Sequence, residues 1–456
     1  MASGSGNPHL ALWIAVTGLS HGEIARRIAV AGKAQGHKQI TPDTTRVRRW
    51  IEGERPRPPV PALLAEVLSE AVGQPLTPGD LGLTSNGLFL DGIQLPLLTE
   101  AAAQALAGWT QMDLFVNRRD ALKLAVGAPL ILAAERMLGG TARALNNGRK
   151  GFDADTVTAL EEVTGFFTKA DASKGGGLYR AAIVAQLAEV ARRIQDGVPG
   201  SLRTRVFAAT ADLAALAGWV SHDCGRYPAA QRYWSYGTYA AGEAGQLDRG
   251  VEIVTRMSHQ MIYLGRPRDA LGLLGVAAKK ATMPATRALV ASQTGRVHAA
   301  LGDPRQAETH LGTADEVLAD GLGDDVPEWV SYFDAAEHAG ARAVSARDLT
   351  GLDSGRRSAS MHFEDALRLR KHGYDRVQVM DRLGLAAALF DEGEPERGAA
   401  AAQRALDEAG RVDSTLVASR LNTLLAAARP YETSAVKDVQ GRAWELAAAR
   451  PTAIAA

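Results

Sequence analysis

The chain has 456 residues, with 51 basic and 51 acidic side chains, so its formal charge is zero. This length exceeds one ordinary core and predicts two or three domains or an elongated repeat array. Its single cysteine excludes an internal disulfide framework, and its ten histidines form neither an H-E-x-x-H pattern nor spaced Cys/His pairs, so we expect no metal site and no cofactor. Aromatic residues are scarce and the helix-forming residues Ala, Leu and Arg dominate, which predicts an all-α fold.

Three short helices are predicted in the first 60 residues. The first begins at Asn7, which precedes a proline suited to a first helical turn. The second begins at Ser20, where Glu23 completes a capping box in which each side chain binds a backbone N–H of the other residue. The third is predicted from Thr41 to Gly53, ahead of a proline-rich run. These three helices predict a small N-terminal domain.

The third predicted helix has one apolar face and one basic face. Val47, Trp50 and Ile51 share a face by the 3.6-residue period of a helix. The remaining positions therefore point away from that face, namely Thr45, Arg46, Arg48, Arg49 and Glu52. A capped helix that carries Arg26 and Arg27, then a turn, then this Thr- and Arg-rich helix have the order of a helix-turn-helix, whose second helix enters the major groove of DNA.

The segment VRRWIEGERPRPP resembles the third helix of phage-repressor-like (Xre) helix-turn-helix domains. That helix reads V-S-R-W-E-x-G in the family, and Val47, Arg49, Trp50 and Gly53 occupy the corresponding positions. The resemblance implies that double-stranded DNA is the partner, with base contacts from Thr44, Thr45, Arg46, Arg48 and Arg49 and phosphate contacts from Arg26, Arg27 and Lys38. Because one such domain makes few base contacts, we expect a homodimer on an inverted repeat.

The charge distribution along the chain favours the same partner. Residues 1–60 contain nine bases and four acids, a net charge of +5, so the remaining residues carry −5. A basic N-terminal domain on a mildly acidic body lets that domain approach phosphate while the body avoids it. A solvated basic face with no role in binding is the alternative interpretation.

Residues 86–150 separate this domain, assigned to residues 1–85, from the rest of the chain. The stretch from Val116 to Gly140 contains paired arginines, an apolar run and small residues, as twin-arginine export signals do. It follows more than a hundred residues, and Lys123 and Glu135 leave the apolar run short of the roughly 20 residues that span a bilayer. We therefore predict a helical linker at 86–150, no membrane partner and a cytoplasmic protein.

A glycine turn recurs in residues 151–456. The copies are GRYPAA at Gly225, GRPRDA at Gly265, GDPRQA at Gly302 and GEPERG at Gly393. Their spacings are 40, 37 and 91 residues, and the last fits two periods with a degenerate copy near TGLDSGRRSAS. These units resemble tetratricopeptide repeats, with Gly218 and Gly295 at positions of close helix contact, and they predict an α-solenoid of stacked helical hairpins. Ordinary helical hairpins without that repeat are the alternative.

An Xre-like domain followed by a tetratricopeptide-like body resembles actinobacterial regulators of development and antibiotic production. This resemblance implies a DNA-binding transcriptional regulator whose solenoid supports dimerisation or binds a peptide, protein or small-molecule effector. The alternative is a tetratricopeptide-type interaction scaffold without specific DNA binding, favoured by Arg48, where the family commonly has a small hydroxyl residue, and by a long connection before the third helix. We expect no enzymatic activity, since the glycine-rich SKGGGLYR lacks the G-K-[ST] of a phosphate loop.

Five aromatic residues cluster where aromatics are otherwise scarce: Tyr227, Tyr233, Trp234, Tyr236 and Tyr239. Packing between hairpins accounts for Tyr233 and Trp234, which follow the small residue of their turn by three and four positions. Tyr236 and Tyr239 continue a different face from Trp234. We therefore expect these two tyrosines to be at least partly exposed, on the concave side or at a dimer interface, and to bind a partner or ligand. Packing of all five between hairpins is the alternative.

Overall fold

A computed structural model describes residues 7–17, 19–37, 39–54, 56–57, 59–72, 78, 81, 83, 99–116, 151–323, 325–350, 358–412 and 414–449. Within these residues the chain is all-helical and contains no β-strand, which confirms the all-α prediction. None of the helices in these ranges is both long and apolar enough to cross a membrane.

The chain divides into two compact units, one of residues 1–101 and 111–116 and the other of residues 102–110 and 117–456. Helices α1–α5 are Pro8–Thr17, His21–Ala34, Thr44–Ile51, Val60–Val72 and Thr99–Val116. Helices α6–α19 are Ala154–Lys174, Arg180–Gln195, Arg203–Asp223, Tyr227–Glu243, Leu247–Tyr263, Pro267–Ala278, Pro284–Ala300, Pro304–Asp320, Ala335–Asp348, Ala359–Leu369, Asp375–Asp391, Pro395–Ala409, Thr415–Ala428 and Ser434–Ala448. We call α1–α4 the head and α6–α19 the array.

The head has a hydrophobic core to which all four helices contribute, including Leu10, Trp13, Ile14, Ile24, Ile28, Val47, Trp50, Leu63, Leu64 and Leu68. The predicted starts of α1 and α2 are confirmed. The Asn7 side chain accepts from the backbone N–H of Leu10 at 3.0 Å, and Ser20 Oγ accepts from that of Glu23 at 3.2 Å. The predicted capping box is only half formed, because the Glu23 carboxylate binds two arginines of α2 instead of returning the bond to Ser20.

Helix α3 begins three residues later than the sequence predicts. Asp43 Oδ1 accepts from the backbone N–H of Arg46 at 2.8 Å, which makes Asp43 the N-cap and Thr44 the first helical residue. The predicted start at Thr41 is therefore wrong. Asp is at least as good an N-cap as Thr, and its charge also interacts favourably with the positive end of the helix dipole. The predicted end is confirmed, since Gly53 has a φ of 104°, a conformation open to glycine.

The array is a series of helical hairpins, each made of two consecutive helices in contact, namely α8–α9, α10–α11, α12–α13, α14–α15, α16–α17 and α18–α19. All four predicted turn glycines have a positive φ, between 68° and 82°, and a helix begins two residues after each. The long predicted gap contains the α14–α15 hairpin, although residues 351–357 between its helices lie outside the described residues. The predicted array of stacked hairpins is confirmed.

Two glycines allow the close helix contacts that the repeat pattern predicts. A Cβ atom on Gly218 would lie 2.4 Å from the ring of Trp234, and one on Gly295 would lie 2.6 Å from Leu311. Each glycine lies in the first helix of a hairpin and its neighbour lies in the second. Because real Cβ atoms do not approach so closely, a larger residue at either position would push the two helices apart.

The array curls until its early helices contact its late ones. Helix α6 contacts α8 and also α16. In α16, Arg376 lies 3.1 Å from Asp171 of α6 and 3.3 Å from Asp223 at the end of α8. The Asp223 carboxylate also accepts from the hydroxyl of Ser414, the N-cap of α18. All four of these residues are buried. The first helices of the hairpins each contact the next, and we call the region that these helices face the interior: α8, α10, α12, α14, α16 and α18.

Candidate functional site

The five residues predicted to contact bases lie together on α3 and are all exposed: Thr44, Thr45, Arg46, Arg48 and Arg49. We call this surface the α3 face. Val47 and Trp50 of the same helix are 0% and 3% exposed and pack in the core of the head. The predicted division of this helix into an apolar and a basic side is therefore confirmed. Anchored in this way, α3 holds its polar side chains toward solvent.

Two of the three arginines on the α3 face have nearby carboxylates. Arg48 Nε lies 3.3 Å from Glu52, and Arg49 Nη1 lies 4.0 Å from Glu54. Arg46 makes no ion pair within the described part of the chain. The two pairs are solvent-exposed and contribute about 1 kcal/mol or less each. Either arginine can therefore leave its carboxylate for a stronger anionic partner.

The predicted phosphate contacts of α2 share one carboxylate. Glu23 accepts from Arg26 Nε at 2.8 Å, from Arg26 Nη2 at 2.7 Å and from Arg27 Nε at 2.8 Å. Hydrogen bonds from the two guanidinium groups lower the pKa of Glu23 to about 2, so this residue stays ionised at neutral pH. It neutralises part of the charge that these arginines offer. Lys38, the third predicted phosphate contact, lies outside the described residues.

The connection between α2 and α3 is long, as its sequence indicated. It comprises the nine residues 35–43, whereas a helix-turn-helix usually has three or four. Gly36 takes a φ of 86° just after α2, and Ile40 packs against the core of the head. The contact of Ile40 with this core thus fixes the connection to the rest of the head.

The expected exposure of Tyr236 is wrong. Tyr236 is 0% exposed, its hydroxyl has no hydrogen-bond partner in the described part of the chain, and burial raises its pKa. The reason is that α9 packs against both α8 and α10, so more than one of its faces is covered. Tyr239 is only half-buried, with its ring centroid 6.4 Å from Phe207 and 5.8 Å from Tyr236. The packing alternative therefore holds for Tyr236, and a binding role for Tyr239 stays a prediction.

A cluster of aromatic rings surrounds His222 inside the array. The His222 side chain is fully buried, and its ring centroid lies 5.5–5.9 Å from those of Trp219, Tyr227, Trp234, His259 and Tyr263. Neither of its ring nitrogens has a hydrogen-bond partner among the residues that the structure describes. Burial, with a smaller contribution from Arg376, lowers the pKa of His222 to about 3. The imidazole is therefore neutral at physiological pH.

Five arginines, one each from α10, α12, α14, α16 and α18, have buried guanidinium nitrogens without a described partner or lie over the Trp219 ring. We call them the interior arginines: Arg256, Arg296, Arg347, Arg376 and Arg420. Two of them lie over one indole, because the guanidinium carbons of Arg256 and Arg376 are 5.3 and 5.2 Å from the Trp219 ring centroid. Burial holds the pKa of His259 well below its ordinary value, and the charges of Arg296, Arg420 and Arg256 lower it further. His259 thus lies among several cations and is itself neutral.

Sequence reasoning missed this interior, although one signal for it exists. Trp219, His259 and Arg296 each lie six residues before the turn glycine of their hairpin. They therefore occupy the same position in three successive units, and all three side chains reach the interior. The approach of Arg347 and Arg420 depends on how far the array curls, which the spacing of the turns does not specify.

One family model matches the chain. It is described as the SP15 N-terminal domain, and it covers residues 10–84, which include most of α1 and all of α2, α3 and α4. A search of curated proteins finds no similar sequence. The match covers the helices of the head and does not extend into the array.

Proposed function

We propose that the protein is a cytoplasmic, DNA-binding transcriptional regulator that inserts α3 into the major groove as a homodimer. The observation that carries this proposal is the α3 face, on which two threonines and three arginines are exposed while Val47 and Trp50 anchor the helix from behind. The resemblance of VRRWIEGERPRPP to Xre domains supports it.

The chemistry of the α3 face suits a base-reading surface. An arginine can bind O6 and N7 of guanine with two parallel hydrogen bonds, and threonine can bind either kind of base edge or contact a thymine methyl group. Arg26 and Arg27 of α2 offer charge to the phosphate backbone, and Glu23 holds both guanidinium groups in place while it neutralises part of that charge. The resemblance to regulators of antibiotic production and development supports the proposal that the regulated genes belong to those processes.

A selection of random duplex DNA on the full-length protein tests the proposal, followed by fluorescence anisotropy of the selected sequence. We expect an inverted repeat with half-sites about one helical turn apart. Replacing Arg48 and Arg49 together with Ala should abolish the preference for that repeat, since each good bidentate contact discriminates by about 1–3 kcal/mol. The free energy of unfolding should change little, because both side chains are exposed.

The matched control is the double variant Arg368→Ala and Arg397→Ala in the array. These arginines are 69% and 57% exposed and also pair with carboxylates, so the variant removes the same charge from another surface. It should bind the selected DNA as the wild type does. No enriched sequence, or equal loss in both double variants, would contradict reading by α3.

Salt dependence tests the phosphate contacts separately. With two or three neutralised phosphates in each of two subunits, log K should fall against log salt with a slope of about −4 to −5. Replacing Arg26 and Arg27 with Ala should reduce that slope equally for selected and random DNA. A slope near zero would remove α2 from the proposed contact.

A tetratricopeptide-type interaction scaffold remains the second candidate function. The observation that favours it is the local neutralisation of the head, where Glu23, Glu52 and Glu54 each lie beside an arginine that the DNA proposal needs. In that case the array captures a protein partner and the head binds DNA weakly or without preference. Chromosome-wide mapping separates the two functions, because only a regulator occupies discrete sites.

A further inference from the structure

Two of the interior arginines have no ion-pair partner among the described residues. Neither Arg296 of α12 nor Arg420 of α18 makes an ion pair with any described residue, and each has a buried Nε with no hydrogen-bond partner. Burial lowers the pKa of Arg296, and the charge of Arg420 lowers it further. Each of these two cations, on helices far apart in sequence, is thus half-buried and keeps a donor that no described residue satisfies.

A third cation adds to this positive site. Arg347 of α14 also has a buried nitrogen, Nη1, without a hydrogen-bond partner, and its pKa is lowered by burial and then by Arg420. Its Nη2 lies 3.9 Å from a carboxylate oxygen of Asp348, beyond hydrogen-bond distance. The other acidic group that acts on Arg296, Glu337, is already bound by Arg370 at 2.7 Å. The acids nearby therefore do not satisfy the three guanidinium groups.

Such an arrangement is costly without a ligand. A guanidinium group carries only donors, so nitrogens that are buried without acceptors lose hydrogen bonds to water and gain none in return. Like charges in a partly enclosed site also repel one another. By contrast, Arg256 of the same interior has the Glu252 carboxylate as its partner. What Arg296, Arg347 and Arg420 lack is a group rich in acceptor oxygens and negative charge.

We propose that Arg296, Arg347 and Arg420 form the binding site of a small multivalent oxyanion, a phosphate ester or a polycarboxylate. Arginine binds both groups through paired hydrogen bonds. The site is inside the curl of the array, where the Arg376 ion pairs connect early helices to late ones, and this favours a compact ligand over an extended chain. His259 and Tyr263 lie beside the cations, with ring centroids 6.1 Å apart, and offer apolar surface to the rest of the ligand.

Calorimetric titration of the full-length protein with sodium pyrophosphate and with sodium citrate tests the proposal, at constant ionic strength set with sodium chloride. At least one of the two anions should bind with one site per chain and raise the unfolding temperature above the chloride control. Binding of pyrophosphate alone assigns a phosphate ligand, and binding of citrate alone assigns a polycarboxylate. Binding of neither overturns the proposal.

Variants locate the bound anion. R296Q and R420Q should each weaken binding about tenfold to a hundredfold, the expected loss of one charge-assisted interaction. Without anion, each should unfold about 2 °C higher than the wild type, because repulsion is relieved. R397Q removes an exposed, paired arginine and should change neither quantity. If circular dichroism shows that one of the two variants does not fold, anion binding by the other variant tests the site.

The head contains arginines that could also bind an anion, so its contribution is measured separately. The Arg48→Ala and Arg49→Ala double variant should bind the anion as the wild type does. Loss of anion binding in that variant, with R296Q and R420Q unaffected, would overturn the interior site. Because none of these measurements involves DNA, failure of the proposed regulator function would leave their result unchanged.

Discussion

Two arginines of the α3 face and two of the interior arginines have opposite surroundings. Arg48 and Arg49 are 65% and 59% exposed, and each has a carboxylate within 4.0 Å in water, where charges cost little. Arg296 and Arg420 are half-buried and have no ion pair with any described residue. Among these four arginines, the two that are more exposed to water are thus the two with a nearby carboxylate.

This difference distinguishes two kinds of binding surface. An exposed arginine with a weak partner can exchange that partner for DNA phosphate or a base edge at little cost. An enclosed arginine without a partner lowers the free energy of unfolding. A bound anion would raise it again, because the anion binds the folded chain and not the unfolded one. Binding at the first surface should leave stability nearly unchanged, whereas binding at the second should couple strongly to the stability of the array.

The largest expected effect comes from breaking an ion pair between buried groups of the array. Replacing Arg376 with Met should lower the free energy of unfolding of the array by about 3–5 kcal/mol, because two buried carboxylates, Asp171 and Asp223, lose their counter-ion. Chemical denaturation followed by circular dichroism measures the change. Hydrogen exchange should increase most in α6 and at the end of α8.

The matched control for this prediction is Arg397→Met, which breaks an exposed pair with Glu364 at 3.3 Å. Its effect should stay below about 1 kcal/mol. A loss below 1 kcal/mol for Arg376→Met as well would mean that the contact of α16 with α6 and α8 does not depend on this arginine. The contrast between buried and exposed arginines would then fail.

An intermediate effect is expected from the buried histidine as the pH changes. The folded-state pKa of His222 is about 3, below the ordinary value of 6.5, so protonation favours the unfolded chain. The cost of His222 to stability therefore grows as the pH falls from about 6.5 toward 3. Between pH 7 and pH 4.5 the free energy of unfolding of His222→Phe should rise by about 2.5 kcal/mol relative to that of the wild type.

The difference between the two proteins isolates this residue. Burial raises the pKa of Asp171 and of Asp381 to about 6. Their contribution to the free energy of unfolding therefore falls as the pH rises from about 3.8 to 6, which is opposite to the effect of His222. Both are present in the wild type and in His222→Phe, and their contributions cancel in the comparison. Parallel curves of stability against pH would mean that His222 has water or another partner.

The sequence predicts features set by neighbouring residues and misses those set by the curl of the array. The division of α3 into a buried face with Val47 and Trp50 and an exposed face with arginines follows from helix periodicity. The positive φ of Gly225 follows from the conformational freedom of glycine. The prediction for Tyr236 was wrong because a helix in an array has neighbours on two sides. Such a helix buries more than one face, so a residue outside its main apolar face can also be buried. The approach of Arg296 to Arg420 depends on the summed rotation of several hairpins, which no local pattern encodes.

The smallest expected effect concerns the acids beside the α3 face. Replacing Glu52 with Gln removes the partner of Arg48 and should change the free energy of unfolding by no more than about 1 kcal/mol, because the pair is exposed. If α3 reads DNA, the same variant should bind the selected sequence up to about fivefold more tightly, since a negative charge near the phosphates is gone and Arg48 is released. Glu364→Gln is a close control: its carboxylate is also 3.3 Å from an exposed arginine, but in the array, and its removal should leave DNA affinity unchanged. Equal affinities of the two variants, measured by fluorescence anisotropy at one salt concentration, would place Arg48 outside the DNA contact. A large loss of stability in Glu52→Gln would instead mean that this pair stabilises α3, and that the surroundings of the exposed and interior arginines differ less than their exposure indicates.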